Sequence, residues 1–111
     1  MFNQMDIVLM PFPFNDLKSS KIRPALVYSN SRLKNDRICL LITSKKPKFG
    51  IELTSDLLDV ELPLQSWLKP SRIFTIDEAR IIKCLSKGNR KLYDKIEVEL
   101  GKIVGVEEIL S

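Results

Sequence analysis

Apolar residues alternate along residues 6–14, DIVLMPFPF, with the two-residue period of a strand. One face takes Ile7, Leu9 and Pro11 and the other Val8, Met10 and Phe12, so both faces are largely apolar. Pro11 and Pro13 have no N–H for a ladder and mark the end or an edge of this strand. A polar loop opens at Asn15–Asp16, and residues 24–30, PALVYSN, predict a second strand. Residues 30–36 read as a turn. Residues 37–43, RICLLIT, form a nearly continuous apolar run of the kind a buried strand shows. A loop at residues 45–48, KKPK, leads to a short strand, FGIEL, over 49–53. Residues 54–68 carry no clear period. Residues 72–77, RIFTID, and 79–85, ARIIKCL, read as two strands or one long bent strand.

Past Gly88 and Asn89 the period changes. Apolar residues fall at Leu92, Ile96, Leu100, Ile103 and Val104, which is helical spacing, with Asn89 placed to cap the N-terminus and Gly105 to end the helix. Lys91 and Lys95 each have an opposite charge within a turn, at Asp94 and Glu99. Short strands followed by one C-terminal helix predict an α+β domain. Its sheet is expected to be small, antiparallel and strongly curved, or a partly open barrel.

The 111 residues suggest one domain over 1–111. Hydrophobic residues make up 44% and charged residues 29%, an ordinary globular balance. No apolar run approaches the ~20 residues of a membrane helix, and the N-terminus, MFNQMDIV, shows no secretory signal. A cytoplasmic protein without a membrane partner is expected. Cys39 and Cys84 sit alone within apolar runs and read as buried, reduced thiols. The net charge of +4 is uneven: Lys18, Lys21, Arg23, Arg32, Lys34 and Arg37 lie in the first third, while acidic residues gather near the end. That distribution fits a polyanion-binding face, and solvated loops account for it equally well.

The chain has no histidine, which removes Ser-His-Asp and Cys-His devices and His-based metal sites. No GxxxxGK[ST] or GxGxxG loop is present. The carboxylates of Glu52, Asp56, Asp59 and Glu61 match no metal-loop spacing and read as a solvated segment. What remains are cations and hydroxyls at strand ends. A turn centred near residue 33 would bring Arg23 and Thr43 face to face across an antiparallel pair. A guanidinium beside a hydroxyl suits a phosphodiester. On spacing alone, a surface arginine beside a turn threonine is the simpler reading.

Five segments in order resemble the PemK/MazF-like toxin family of bacterial type II toxin–antitoxin systems. They are DIVLMPFPFNDL, KIRPALVYSN, LLITSKK, SWLKPSRIFTID and the closing amphipathic helix, together nearly the whole chain. The resemblance implies a small SH3-like β-barrel with a C-terminal α-helix and a homodimer. It implies an endoribonuclease that cuts single-stranded RNA at short sequences without metal or other cofactor, leaving 2′,3′-cyclic phosphate and 5′-hydroxyl ends, as the toxin of an acidic antitoxin protein. The family's catalytic arginine and threonine fall on Arg23 and Thr43, with Ser44 beside them. RNA contacts are then expected at Phe14, Lys21, Lys45, Lys69 and Ser71, with Phe14 and Trp67 as candidates to stack bases. Three departures stand out. Met5 replaces a glycine before the first strand, and Lys69 and Ser71 occupy positions where some relatives carry catalytic Arg and Asp. The first-loop histidine of some relatives is missing, so the general base is unassigned. A catalytically faded RNA-binding homologue and a gyrase-poisoning toxin are the alternatives. The ending EEILS, in place of the Trp-Gly-Ile tail of the related gyrase poison, speaks against the latter.

Overall fold

The computed structural model describes residues 2–12 and 21–105. Its strands are β1 (Asp6–Phe12), β2 (Lys21–Val27), β3 (Asp36–Thr43), β4 (Ile51–Glu52), β5 (Trp67–Asp77) and β6 (Lys83–Lys87), and its helix is α1 (Arg90–Val104). Three 3₁₀ turns lie at Ser31–Leu33, Ser55–Leu57 and Glu78–Arg80. The sheet runs β4-β5-β3-β2-β1-β6, with antiparallel pairs throughout. It curls until the segment behind β4 meets the end of β6. There Leu58 bridges Gly88, and the Asp59 and Asn89 N–H groups donate to the Lys87 and Leu57 carbonyls, each at 3.0 Å. The result is the strongly curved antiparallel half-barrel with a C-terminal helix that the sequence predicts.

Strand alternation sorts the core onto two faces. Ile7, Leu26, Leu40, Ile42 and Leu68 point one way and meet Leu92 and Ile96 of α1. Val8, Met10, Phe12, Ala25, Val27, Cys39 and Ile76 point the other way, joined by Phe2 and Phe74. The Phe12 and Phe74 rings meet edge-on at 5.1 Å. Burial pushes the Cys39 thiol up to about 12, so it is an inert packing group. Cys84 differs from expectation: it is an exposed free thiol, because β6 is an edge strand.

Pairing, not apolarity, sets several boundaries. β2 begins at Lys21, ahead of its apolar run, because Phe12 and Pro11 of β1 pair with Lys21 and Ile22. β5 starts inside the stretch without a period and carries a wide irregularity. Leu41 pairs with Lys69 but Leu40 with Ile73, which leaves Pro70, Ser71 and Arg72 out of the ladder. Pro70 has no N–H to give, so the ladder breaks there at little cost. Residues 78–80 form a 3₁₀ turn whose N-cap, Asp77, accepts from the Ala79 N–H at 2.9 Å; β6 therefore begins only at Lys83.

Asn89 caps α1 by accepting from the Leu92 N–H at 3.1 Å, and Gly105 ends it in the left-handed region at φ 68°. Leu92 and Ile96 are buried and Leu100 packs beside them, but Ile103 and Val104 stay about half exposed beyond the core cluster. Lys91 pairs with Asp56 at 3.1 Å, and Asp94 pairs with Arg90. Such exposed pairs contribute little.

Met5 has φ 75°, a left-handed conformation that favours glycine. Its N–H donates to the Val27 carbonyl at 2.6 Å and its side chain is buried in the α1-side core. Relief of the strain by glycine is worth roughly 1–2 kcal/mol, while losing a buried methionine side chain costs about 2–5 kcal/mol. Burial outweighs strain, so Met5→Gly is expected to lower stability in urea unfolding. A midpoint at or above that of the native protein would mean that strain dominates.

Asp59 helps hold the closure of the barrel. Its carboxylate accepts from the Lys87 N–H at 2.7 Å and from the Ser86 hydroxyl at 3.0 Å, which hold its pKa below the usual carboxylate value. A depressed folded pKa adds stability above the unfolded value of about 3.9, and that stability is lost as pH falls through the folded value. Asp59→Asn is therefore expected to unfold at lower urea than the native protein at pH 6, with the gap narrowing towards pH 3. A gap of equal size at both pH values would refute the carboxylate's role.

Candidate functional site

The register of β2 and β3 pairs Val27 with Cys39, Leu26 with Leu40 and Ala25 with Leu41. Carried on by two residues, it sets Arg23 opposite Thr43. On the far side of β3, Thr43 pairs with Trp67 and Leu41 with Lys69. On the far side of β2, Arg23 pairs with Met10 and Lys21 with Phe12. Opposed residues in an antiparallel ladder share a face. Lys21, Arg23, Thr43, Trp67 and Lys69 therefore stand together at one end of the face opposite α1.

The cations here are open to an anion. Lys21 and Arg23 are exposed and Lys69 is half-buried. Among the described residues, the four ion pairs are Arg37–Glu78, Arg90–Asp94, Lys91–Asp56 and Lys102–Glu99, and none involves these three groups. Thr43, half-buried, begins a tight turn. Its Oγ1 accepts from the Lys45 N–H at 3.1 Å and lies 3.4 Å from the Lys45 carbonyl. This fixes the hydroxyl at the strand end, and its proton can rotate towards a ligand oxygen. The turn also carries Ser44 and Lys45, both exposed and beyond the ladder.

The other candidate positions fall differently. Ser71 is exposed in the β5 irregularity, off the ladder that carries Lys69. Phe14 lies outside the described residues. Arg37, counted by sequence among the basic front, is 2% exposed and faces inward. It donates to the Phe2 carbonyl at 2.7 Å and meets Glu78 at 3.5 Å, and Glu78 also accepts from the Phe2 N–H at 2.7 Å. Arg37 thus ties down the N-terminal segment and takes no part in an outer cationic face. Arg72, at the start of the predicted strand 72–77, lies within β5, exposed and in the irregularity beside Ser71.

A cavity of about 840 Å³ opens elsewhere, where β4 and the Ser55–Leu57 turn meet α1, lined by Phe49, Leu57, Lys91, Lys95 and Val98. Two of its charged groups, Lys91 and Asp56, already pair with each other. A polynucleotide lies along a surface and needs no enclosed cavity. Among the described residues, no cluster of His, Cys, Asp or Glu is arranged to hold a metal ion, and no helix is long and apolar enough to cross a membrane.

The family model described as PemK-like, MazF-like toxin of type II toxin–antitoxin system matches residues 3–104. Among solved structures, the chain is similar to an endoribonuclease in complex with its cognate antitoxin from Mycobacterial species. That match has 14% identity and a TM-score of 0.76, and covers 95% of this chain and 96% of that one. The chain is similar to MazF from Deinococcus radiodurans, with 18% identity, a TM-score of 0.71, and 94% and 96% covered. It is similar also to the MazE–MazF complex of that organism, with 17% identity, a TM-score of 0.74, and 94% and 96% covered. No curated protein matches the chain. At these identities, likeness to the solved structures shows the fold alone.

Proposed function

Because the chain belongs to the PemK-like, MazF-like toxin family of type II toxin–antitoxin systems, we propose that it is a sequence-specific endoribonuclease of single-stranded RNA. The observation that supports this reading is the β2–β3 register, which carried on by two residues sets Arg23 opposite Thr43, with Lys21 and Lys69 on the same face. In the proposed reaction the RNA 2′-hydroxyl attacks the adjacent phosphorus. The P–O5′ bond breaks, leaving a 2′,3′-cyclic phosphate on one product and a 5′-hydroxyl on the other. The pentavalent intermediate gains negative charge, and its stabilisation is the main task. The Arg23 guanidinium spans two phosphate oxygens as a fork. Thr43, with Ser44 beside it, donates to a non-bridging oxygen or to the attacking hydroxyl. Lys21, Lys45 and Lys69 add positive field.

An arginine with a pKa above ~12 is a poor base. Lys69 keeps only the charge of the arginine found in some relatives, and Ser71 cannot act as a carboxylate. The reaction as proposed therefore rests on positioning and charge, with modest turnover. The protein acts in the cytoplasm as a homodimer, and an acidic antitoxin laid over Arg23 and its neighbouring cations silences it. Two of the structural neighbours are complexes with an antitoxin or with MazE, which supports that partner.

The test is incubation of the purified protein with single-stranded and duplex RNA in excess EDTA. The expected result is cleavage of the single strand only, reduced at least about a hundredfold in Thr43→Ala. Cleavage that requires added Mg²⁺ would exclude this mechanism. Binding without cleavage would favour the catalytically faded homologue.

A further inference from the structure

The row that crosses the sheet at Arg23 runs on past Thr43. Trp67 of β5 is the cross-strand partner of Thr43, and Glu52 of β4 is the partner of Trp67. With the β2–β3 register carried on by two residues from Ala25 and Leu41, the row reads Glu52, Trp67, Thr43, Arg23, Met10 across five strands. Its charges are polarised. Arg23 lies two strands to one side of Trp67, and Glu52 one strand to the other. Glu52 accepts from the Gln65 amide at 3.1 Å and also lines the cavity beside α1. A phosphate is drawn to the Arg23 side and repelled from the Glu52 side. An uncharged aromatic base is what the middle of such a row can hold.

Trp67 is half-buried, so one part of the ring is anchored on the sheet and another is open. Its indole N–H has no hydrogen-bond partner among the described residues, yet it is not a sealed, unsatisfied group. A group of this kind is satisfied by solvent and is free to donate to a ligand. Strands lie about 4.8 Å apart, which puts the Trp67 backbone roughly 10 Å from that of Arg23. We infer that Trp67 is the floor of a base-stacking subsite, holding the base of a nucleotide next to the phosphate bound by Arg23 and Thr43. This rests on the RNA reading of the same site. It adds a specific requirement: the substrate must present an unpaired base one step from the cut, so a duplex is expected to be refused.

Trp67 is the chain's single tryptophan, so its emission reports on this position alone. The experiment uses a randomised pool of short single-stranded 2′-O-methyl oligoribonucleotides, whose blocked hydroxyl prevents cleavage. An unlabelled pool is titrated while tryptophan emission is followed, and a fluorescein-labelled pool is followed by anisotropy. Quenching of emission in step with binding is expected for the single strands and not for the annealed duplexes. Trp67→Phe should bind within a few-fold of the native protein, and Trp67→Leu about tenfold to a hundredfold more weakly. Anisotropy that reports binding while emission is unchanged and Trp67→Leu binds normally would overturn the subsite and leave the RNA reading standing. Absence of any binding, even at low salt, would remove the RNA reading and the subsite with it.

Discussion

Arg23→Ala is expected to lower RNA cleavage by about two to three orders of magnitude, the usual cost of removing one strong donor from a developing negative charge. The same change should leave stability within about 0.5 kcal/mol, because Arg23 is exposed and none of the ion pairs among the described residues uses it. Loss of activity without loss of fold is therefore the expected signature. Arg23→Lys should recover only part of the rate: lysine supplies the charge but not the planar fork. Raising the salt concentration should weaken RNA binding by the native protein more than by Arg23→Ala, since the variant releases fewer counterions. The measurement is single-turnover cleavage of a labelled RNA beside urea unfolding of each protein. Undiminished cleavage by Arg23→Ala would remove this residue from the site.

The largest expected effect on folding lies at the other end of β3. Arg37 is buried and its charge is met by Glu78 and by the Phe2 carbonyl. Removing one partner of a buried pair leaves an uncompensated charge, at a cost of about 3–5 kcal/mol. Glu78→Ala also removes the acceptor for the Phe2 N–H. Since a domain of this size has only about 5–15 kcal/mol of stability, the variant should unfold at much lower urea. Replacing both charges, as in Arg37→Met with Glu78→Leu, should restore most of the loss, because two apolar groups leave no buried charge behind. The Arg37 Nε, buried without a partner, adds to the case for recovery. A Glu78→Ala protein that unfolds within 1 kcal/mol of the native one would show that the pair is not what holds the N-terminal segment.

These two arginines show where the sequence is readable and where it is not. The register that sets Arg23 opposite Thr43 when carried on past Ala25 and Leu41 is legible because β2, a short turn and β3 are consecutive. A turn centred near residue 33 is enough to pair them, and the observed pairing of Val27 with Cys39 has the same centre. The fate of Arg37 is not legible, because it is decided by Glu78, which arrives from beyond β5. Residues 37–43 read correctly as a buried strand, but nothing local says that its first residue is buried as well. The same holds for β5. Only Trp67 and Leu68 of β5 fall in the stretch without a period, and the Pro70–Arg72 irregularity parts them from residues 73–77, so only pairing with β3 defines where the strand starts. The helix was legible from its own period and caps. Its partner in space was not: Lys91 takes Asp56, far away in the chain, and not Asp94 one turn on. Met5 adopts a left-handed backbone, so the chain absorbs a strained residue in exchange for a buried side chain.

The most direct test of the central claim is the chemistry of the ends that the purified protein leaves on single-stranded RNA in EDTA. Transesterification assisted by Arg23 and Thr43 predicts 5′-hydroxyl ends that a polynucleotide kinase labels without prior phosphatase treatment. The matching 3′ fragments should carry 2′,3′-cyclic phosphate. Fragments with 5′-phosphate and 3′-hydroxyl ends, or intact RNA, would contradict it.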